Sequence, residues 1–313
     1  MTLPLVSLVI PTRNGMDTLP AVFAAIERQV RDFDLEIVVI DTESTDGTLD
    51  FVGARSSHLL HTTAALFNHG LTRNQAIAAS SGEFIVLLSQ DAVPADEQWL
   101  ASLVSPLRLT ASLAGSFARQ VSRPDAGVIA RHYHAHWAGS SRVPVVARID
   151  GAVALEALRP LEQMRRCTFD NVCSCIRRAV WSAHPFADTP IAEDLAWARQ
   201  VLLAGHELAF VPDAVVVHSH ARPAAYEFER TALLHYELHR LFGVRTIPTW
   251  RALTASIAST AALHLQLRRQ APSGVPVESL QRALALAVAW PLGQFVGGRR
   301  AASGTPASPS GRV

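Results

Sequence analysis

The chain has 313 residues, of which 49% are hydrophobic and 18% charged, and its formal net charge is +1. A chain of this length and composition buries a full core, which excludes intrinsic disorder over most of it. Near-neutrality excludes a nucleic-acid binder held by general phosphate attraction, because such domains carry a strongly basic surface.

None of the 28 cationic side chains is lysine, so any cationic grip on an anion must come from arginine, which suits planar, bidentate contacts. Cys167, Cys173 and Cys175 are too few and too clustered for a disulfide framework and read as packed thiols. The chain runs directly into the apolar stretch Leu5–Ile10, without a basic leader or a small-residue cleavage site, so a cytoplasmic, reducing compartment is expected.

The first hundred residues alternate β-branched runs with amphipathic stretches, the pattern of a mostly parallel α/β sheet. Val6–Ile10 is a predicted strand and Met16–Arg31 a helix. Glu36–Ile40 is a second strand ending at Asp41, followed by a helix opening near Thr45 and Asp46, both good N-caps. A weak strand over Leu59–Thr62 precedes a helix over Leu71–Ser80, and Phe84–Leu88 is an apolar strand that stops at Ser89-Gln90-Asp91. Ligands of such sheets gather beyond the carboxyl ends of the strands, so Pro11–Asn14, Asp41–Asp46 and Ser89–Asp91 should converge.

From Ala118 to Asp170 the pattern is irregular, with Pro124, Pro144, Pro160 and a patch of Arg131, His132, His134 and His136. Loops and short helices over a site are expected there. A helix over Glu193–Ala204 ends at Gly205, and two short strands follow, His206–Val211 and Ala214–His218. Helices are expected at Ala224–Leu241, Trp250–Leu267 and Ser279–Phe295, and a disordered tail from Ala301. The apolar stretch Ala283–Val296 is too short for a membrane span and is interrupted by Pro291.

Asp91 ends an apolar strand, where a carboxylate is costly unless it binds something. Glu193-Asp194 opens a helix, and His218-Ser219-His220 ends another strand. A hard divalent cation beside a diphosphate prefers oxygen ligands and accepts imidazole when it is manganese. An Asp and a His at two strand ends suit such an ion.

These residues resemble the inverting family 2 glycosyltransferases of GT-A fold, especially their rhamnosyltransferase-like branch. The resemblance runs from Leu5 to His220. It is carried in order by Val6-Ser7-Leu8-Val9-Ile10-Pro11-Thr12-Arg13-Asn14-Gly15, Ile37–Asp41 with Ser44–Thr48, Phe67-Asn68-His69-Gly70 with Thr72-Arg73-Asn74, and Ser89-Gln90-Asp91-Ala92 with Pro94. It continues through Phe169-Asp170-Asn171 with Ile176-Arg177-Arg178, Glu193-Asp194-Leu195 with Trp197-Ala198, and His218-Ser219-His220. Ser89 stands where the commonest Asp-x-Asp motif has its first Asp, which puts a ribose contact there in doubt.

The resemblance implies a Rossmann-like nucleotide-binding half at 1–117 and an acceptor and catalytic half at 118–222. A helical extension at 223–300 and the tail at 301–313 would follow. Pro11, Thr12 and Asn14 would line the nucleotide pocket with Gln90, Asp41 would bond the pyrimidine base, and Arg73 would reach the diphosphate. Asp91 and His218 would hold Mg2+ or Mn2+. Asp194 would be the catalytic base, kept ionised by the helix start, with Glu193 orienting it. Arg177-Arg178 would meet phosphates or form a surface pair. The His132/His134/His136 patch would line the acceptor groove.

The implied reaction moves rhamnose from dTDP-rhamnose to a saccharide or lipid-linked acceptor, as a step in cell-surface polysaccharide synthesis. A UDP-hexose donor or a non-catalytic sugar-nucleotide binder are the alternatives. No nucleic acid is expected as a partner. Leu233, Leu234, Leu238 and Leu241, at helical spacing near Arg240 and Arg245, suit core packing or peripheral attachment to the inner face of the plasma membrane.

Overall fold

The computed structural model describes residues 4–305. The chain opens with β1 (Leu5–Thr12), α1 (Leu19–Glu27), β2 (Asp34–Thr42), α2 (Thr48–Gly53), β3 (His58–Thr62), α3 (His69–Ala78) and β4 (Phe84–Leu88). The predicted alternation is therefore observed, with α1 shorter at both ends than expected. Next come β5 (Val93–Pro94), α4 (Trp99–Leu109) and β6 (Leu113–Val121). The irregular stretch then resolves into α5 (Val128–Ala135), a 3-10 turn at Ala138–Ser140, β7 (Val145–Ala147), α6 (Ala152–Glu156) and α7 (Pro160–Arg166).

β8 (Cys173–Arg177), α8 (Arg178–Ala183), α9 (Glu193–Leu203) and β9 (Glu207–Val217) complete the sheet. The two strands expected between His206 and His218 are thus one. Its pairing with β6 skips from Val211 to Val215 opposite the adjacent residues Ala118 and Arg119. Pro212, Asp213 and Ala214 therefore form a bulge, which kinks a strand without ending it. Three helices follow, α10 (Ala224–Phe242), α11 (Trp250–Arg269) and α12 (Leu280–Ala302). α12 continues past Ala301, where the tail was expected to begin, and the tail beyond 305 lies outside the described residues.

The nine strands form one sheet in the order β3-β2-β1-β4-β8-β6-β9-β5, with β7 also on β9. β1, β2, β3 and β4 run parallel, whereas β8 runs antiparallel between β4 and β6. Both faces are covered, so the central strands read as unbroken apolar runs. Val6, Leu8, Ile10, Val86 and Leu88 pack on the α1 and α4 side with Phe23 and Leu103. Val9, Val38, Ile40, Ile85 and Leu87 face Ile77, Trp197, Leu238 and Phe242 on the other.

α10 is therefore part of the sheet's own core. Leu233 and Leu238 are buried, and Leu234 and Leu241 are half-buried against the same cluster, so this row is core and not a lipid-facing stripe. No helix among the described residues is long and apolar enough to cross a membrane. All three cysteines are free and buried. Burial pushes the Cys167 thiol up to about 12, and the Cys173 and Cys175 thiols rise further, so none acts as a thiolate near neutral pH.

Helix α12 lies close against α10. A Cβ added at Gly293 would come within 2.8 Å of the Phe228 carbonyl, and one at Gly297 would strike the Ala232 carbonyl. Only glycine permits this approach of two backbones.

Candidate active site

The topology brings the chemistry to one edge. Parallel β1, β2 and β4 deliver Thr12, Asp41 and Asp91 at their carboxyl ends, and Thr12 and Asp41 are direct register partners. Because β8 runs the opposite way, its beginning at Asp170–Asn171 reaches that same edge. β6 and β9 add Gln120 and His218 at their ends.

The loops after β1 and β2 lock together. The Asp41 carboxylate is fully buried and accepts from the Thr12 hydroxyl at 2.7 Å, the Ser44 hydroxyl at 2.6 Å and the Ser44 amide at 2.9 Å. Asn14, held at φ 45°, accepts the Thr45 amide through its side chain at 2.8 Å and donates its own amide to Ser44. Asp46 does not cap α2, whose N-cap is Gly47. It binds the amides of Met16 and Thr48 instead.

Gln90 clamps Arg13, accepting its amide at 2.8 Å and donating to its carbonyl at 3.0 Å. The Asp41 oxygens are thus enclosed by Thr12 and Ser44 where the loops after β1 and β2 meet. Thr12 is buried with Asp41, while Pro11 stays partly exposed and Asn14 exposed.

Asp91, His218 and His220 bring one ligand atom each within 4.8 Å of one another. His218 Nε2 lies 3.6 Å from Asp91 Oδ1, and His220 Nδ1 lies 3.3 Å from Asp91 Oδ2. The other ring nitrogen of His218, Nδ1, meets Gln120 Oε1 at 2.8 Å. Since an amide oxygen only accepts, Nδ1 carries the proton and Nε2 turns its lone pair toward Asp91. Burial lowers the His218 pKa to about 4 against the pull of Asp91, so the imidazole is neutral. Two acceptors thus face each other, an arrangement satisfied by a cation between them. The set of one carboxylate and two imidazoles fits Mn2+ or Mg2+ with positions left for phosphate oxygens.

The base expected at Asp194 sits in the first turn of α9, next to Glu193. Ala192 precedes them at φ 63°, a left-handed conformation that is strained for a residue with a Cβ. Asp194 is partly exposed, and its carboxylate accepts from the Leu195 amide at 2.7 Å. Its pKa is raised well above the usual carboxylate value, first by burial and then by the charges of Glu193 and Asp170. The expectation that the helix start keeps Asp194 readily ionised is overturned, because desolvation and two like charges outweigh the dipole.

Glu193 is buried and pairs with Arg73 at 2.8 Å, the guanidinium being buried as well. Burial works to raise the Glu193 pKa, but Arg73, His69 and the Asn171 side chain outweigh it and hold it below normal. Arg73 also donates to the carbonyls of His69 and Asn171. In this structure Arg73 is engaged by Glu193. The Asn-His-Gly turn makes this reach possible. Asn68 caps α3 through the amides of Gly70 and Leu71, and Gly70 leaves no room for a Cβ beside the Ala187 carbonyl and Glu193.

A family model described as Glycosyl transferase family 2 matches residues 7–149. The O-antigen chain rhamnosyltransferase RfbN of Salmonella typhimurium is 32% identical over 72% of this chain and 69% of its own. The chain belongs to glycosyltransferase family 2. A second rhamnosyltransferase of O-antigen chains, WbaN of Salmonella anatum, is 27% identical over 73% of this chain and 70% of its own. Among solved structures, the mannosyltransferase PcManGT of Pyrobaculum calidifontis, in complex with GDP-Man and Mn2+, has a TM-score of 0.54 at 19% identity, covering 99% of this chain and 78% of that one. Glucosyl-3-phosphoglycerate synthase of Mycobacterium tuberculosis, with Mg2+ and UDP, has a TM-score of 0.54 at 21% identity, covering 77% and 80%. The fold is the GT-A fold, with its mixed, mostly parallel sheet and a helical C-terminal region.

In this glycosyltransferase Arg177 and Arg178 lie away from the chemistry. β8 carries them to the amino end of β4, where Arg177 meets Glu83 at 3.4 Å and the Leu107 carbonyl, and Arg178 meets the Gly82 carbonyl and the Ser80 hydroxyl. His134 and His136 bond locally, to Ser140 and to the His132 carbonyl, and Tyr133 on the same helix meets His264 at 3.1 Å.

Sequence reasoning assigned no role to four groups around the enzyme's site. His220 completes the acid–histidine cluster, and its spacing from His218 was its only signal. Gln120 and Asp170 contact each other at 2.8 Å behind His218. Arg230 of α10 is exposed and without an ion pair among the described residues, and its charge acts on His69, Asp170, His218 and His220.

Proposed function

We propose that the chain is a metal-dependent, inverting glycosyltransferase that moves rhamnose from dTDP-rhamnose to a saccharide or lipid-linked acceptor in cell-surface polysaccharide synthesis. One observation carries the chemistry: a base of raised proton affinity, Asp194, shares a sheet edge with two acceptors, Asp91 and His218, that face each other at 3.6 Å. The likeness to two O-antigen rhamnosyltransferases supports the donor and the pathway class.

Asp91, His218 and His220 hold the divalent cation, which when bound supplies positive charge to the departing diphosphate. Asp194 takes the proton of the acceptor hydroxyl as its oxygen bonds to the anomeric carbon and the nucleoside diphosphate leaves. A single displacement inverts the configuration. Arg230 takes the part first expected of Arg73 and adds the cation that a lysine-free chain must draw from arginine.

A melting-temperature panel of dTDP-, UDP- and GDP-sugars with Mn2+ tests the donor. The largest rise is expected with dTDP-rhamnose, and a larger one with a UDP-hexose moves the assignment to that donor. In the same assay Asp91→Ala is expected to remove the Mn2+-dependent part of the rise. Arg230→Ala is expected to weaken nucleotide diphosphate binding roughly tenfold, the worth of one charge-assisted contact. Unchanged shifts in either variant would take that residue out of the site.

A further inference from the structure

His218 presents the correct nitrogen only while its ring keeps one tautomer, and the residues that decide this are not ligands. Its Nδ1 meets Gln120 Oε1 at 2.8 Å. The Gln120 side chain is itself buried, and its Nε2 donates to Asp170 Oδ2 at 2.8 Å. The second oxygen of Asp170 accepts the Val172 amide at 2.7 Å. An ionised carboxylate only accepts, so it compels the Gln120 amide to turn its nitrogen inward and its oxygen toward His218.

We propose, resting on the cation site above, that Asp170 and Gln120 form a positioning relay that fixes the tautomer of His218 and so aims Nε2 at the cation. Each member has one orientation that satisfies both neighbours. The direction originates at the Val172 amide, a backbone donor that cannot turn round. The relay ends at a metal ligand, and metal-bound histidines depend on such outer partners for ring orientation and basicity. Asp170 also lies near the base, since its charge acts on Asp194, so one carboxylate serves the two halves of the site.

The relay makes a prediction specific to hydrogen-bond direction. In Asp170→Asn, a variant of the same shape, the amide oxygen stays with the Val172 N–H and the new NH2 faces Gln120. Gln120 must then flip and offer its own NH2 to His218, which forces the proton onto Nε2. Nitrogen-resolved NMR of the His218 ring in the full chain is expected to show Nδ1–H in the native protein and Nε2–H in the variant. Binding of Mn2+ alone, followed by its paramagnetic resonance, is expected to weaken roughly 10- to 100-fold. The double variant Asp170→Asn/Gln120→Glu restores an acceptor to both neighbours, and native tautomer and affinity are expected to return.

A single variant that keeps Nδ1–H and native Mn2+ affinity overturns the relay, as does a double variant that fails to recover. If Asp170→Asn does not fold, Gln120→Met removes the acceptor for His218 together with the donor to Asp170. Mixed tautomers and weakened Mn2+ binding are expected there, and an unchanged ring and affinity overturn the relay equally. A native chain that binds no Mn2+ overturns the cation site, and the relay with it. That result differs from native binding that the variants leave intact.

Discussion

Asp194→Asn is expected to lower kcat by roughly 10²- to 10⁴-fold, the usual worth of a positioned general base, while Mn2+-dependent nucleotide binding survives. Asparagine keeps the shape and can still accept the Leu195 amide, which lies 2.7 Å from Asp194 Oδ1, but it cannot take a proton. The native pH profile carries a second test. Burial, Glu193 and Asp170 raise the Asp194 pKa above the ordinary carboxylate range. Its base form is therefore lost as pH falls through that raised value, so the acid limb of kcat lies closer to neutrality than a solvent-exposed aspartate would place it. Native turnover in the variant, or an acid limb at the usual carboxylate position, removes Asp194 from the role.

Arg73→Met is expected to cost roughly 3–5 kcal/mol of stability, because it strands the buried Glu193 carboxylate without its partner. Denaturant unfolding near pH 7 measures this. Arg73 holds the Glu193 pKa below normal, so the pair contributes stability above the ordinary carboxylate pKa, lost as pH falls through the depressed one. The penalty of the variant should accordingly shrink in acid, where Glu193 is protonated in either protein. Adding Glu193→Gln to Arg73→Met is expected to recover part of the loss. Nucleotide affinity of the folded variant should stay close to native; a collapse of that affinity with unchanged stability would return Arg73 to the diphosphate.

The strands β1, β2 and β4 were legible because burial on both faces writes them as apolar runs bounded by polar tips. β6 and β8 were not, because their contact demands small residues. A Cβ on Gly115 would come to 3.0 Å from both the Cys175 carbonyl and the Phe169 ring, and Gly, Ser and Cys carry no strand signal. Pro212-Asp213 resembles a chain break and is part of a bulge.

Within the site, Asp91, His218 and Asp194 stood out by ending strands or opening a helix. What sequence cannot display is the partner: Arg73 and Glu193 meet across 120 positions, and Asp41 is enclosed by Thr12 and by a serine three residues on. Gln120 belongs to no motif, and Asp170 lies in one that gave it no role, since their part depends on which way an amide faces.

The glycine contact between α12 and α10 reaches further than packing. α10 starts within a few residues of His220 and carries Arg230, and it is braced from behind by the last helix of the described residues. A methyl group at Gly293 or Gly297 would press on the Phe228 or Ala232 carbonyl and shift α10 on its seat. The C-terminal helices of this glycosyltransferase are in that sense a splint for the helix that carries Arg230.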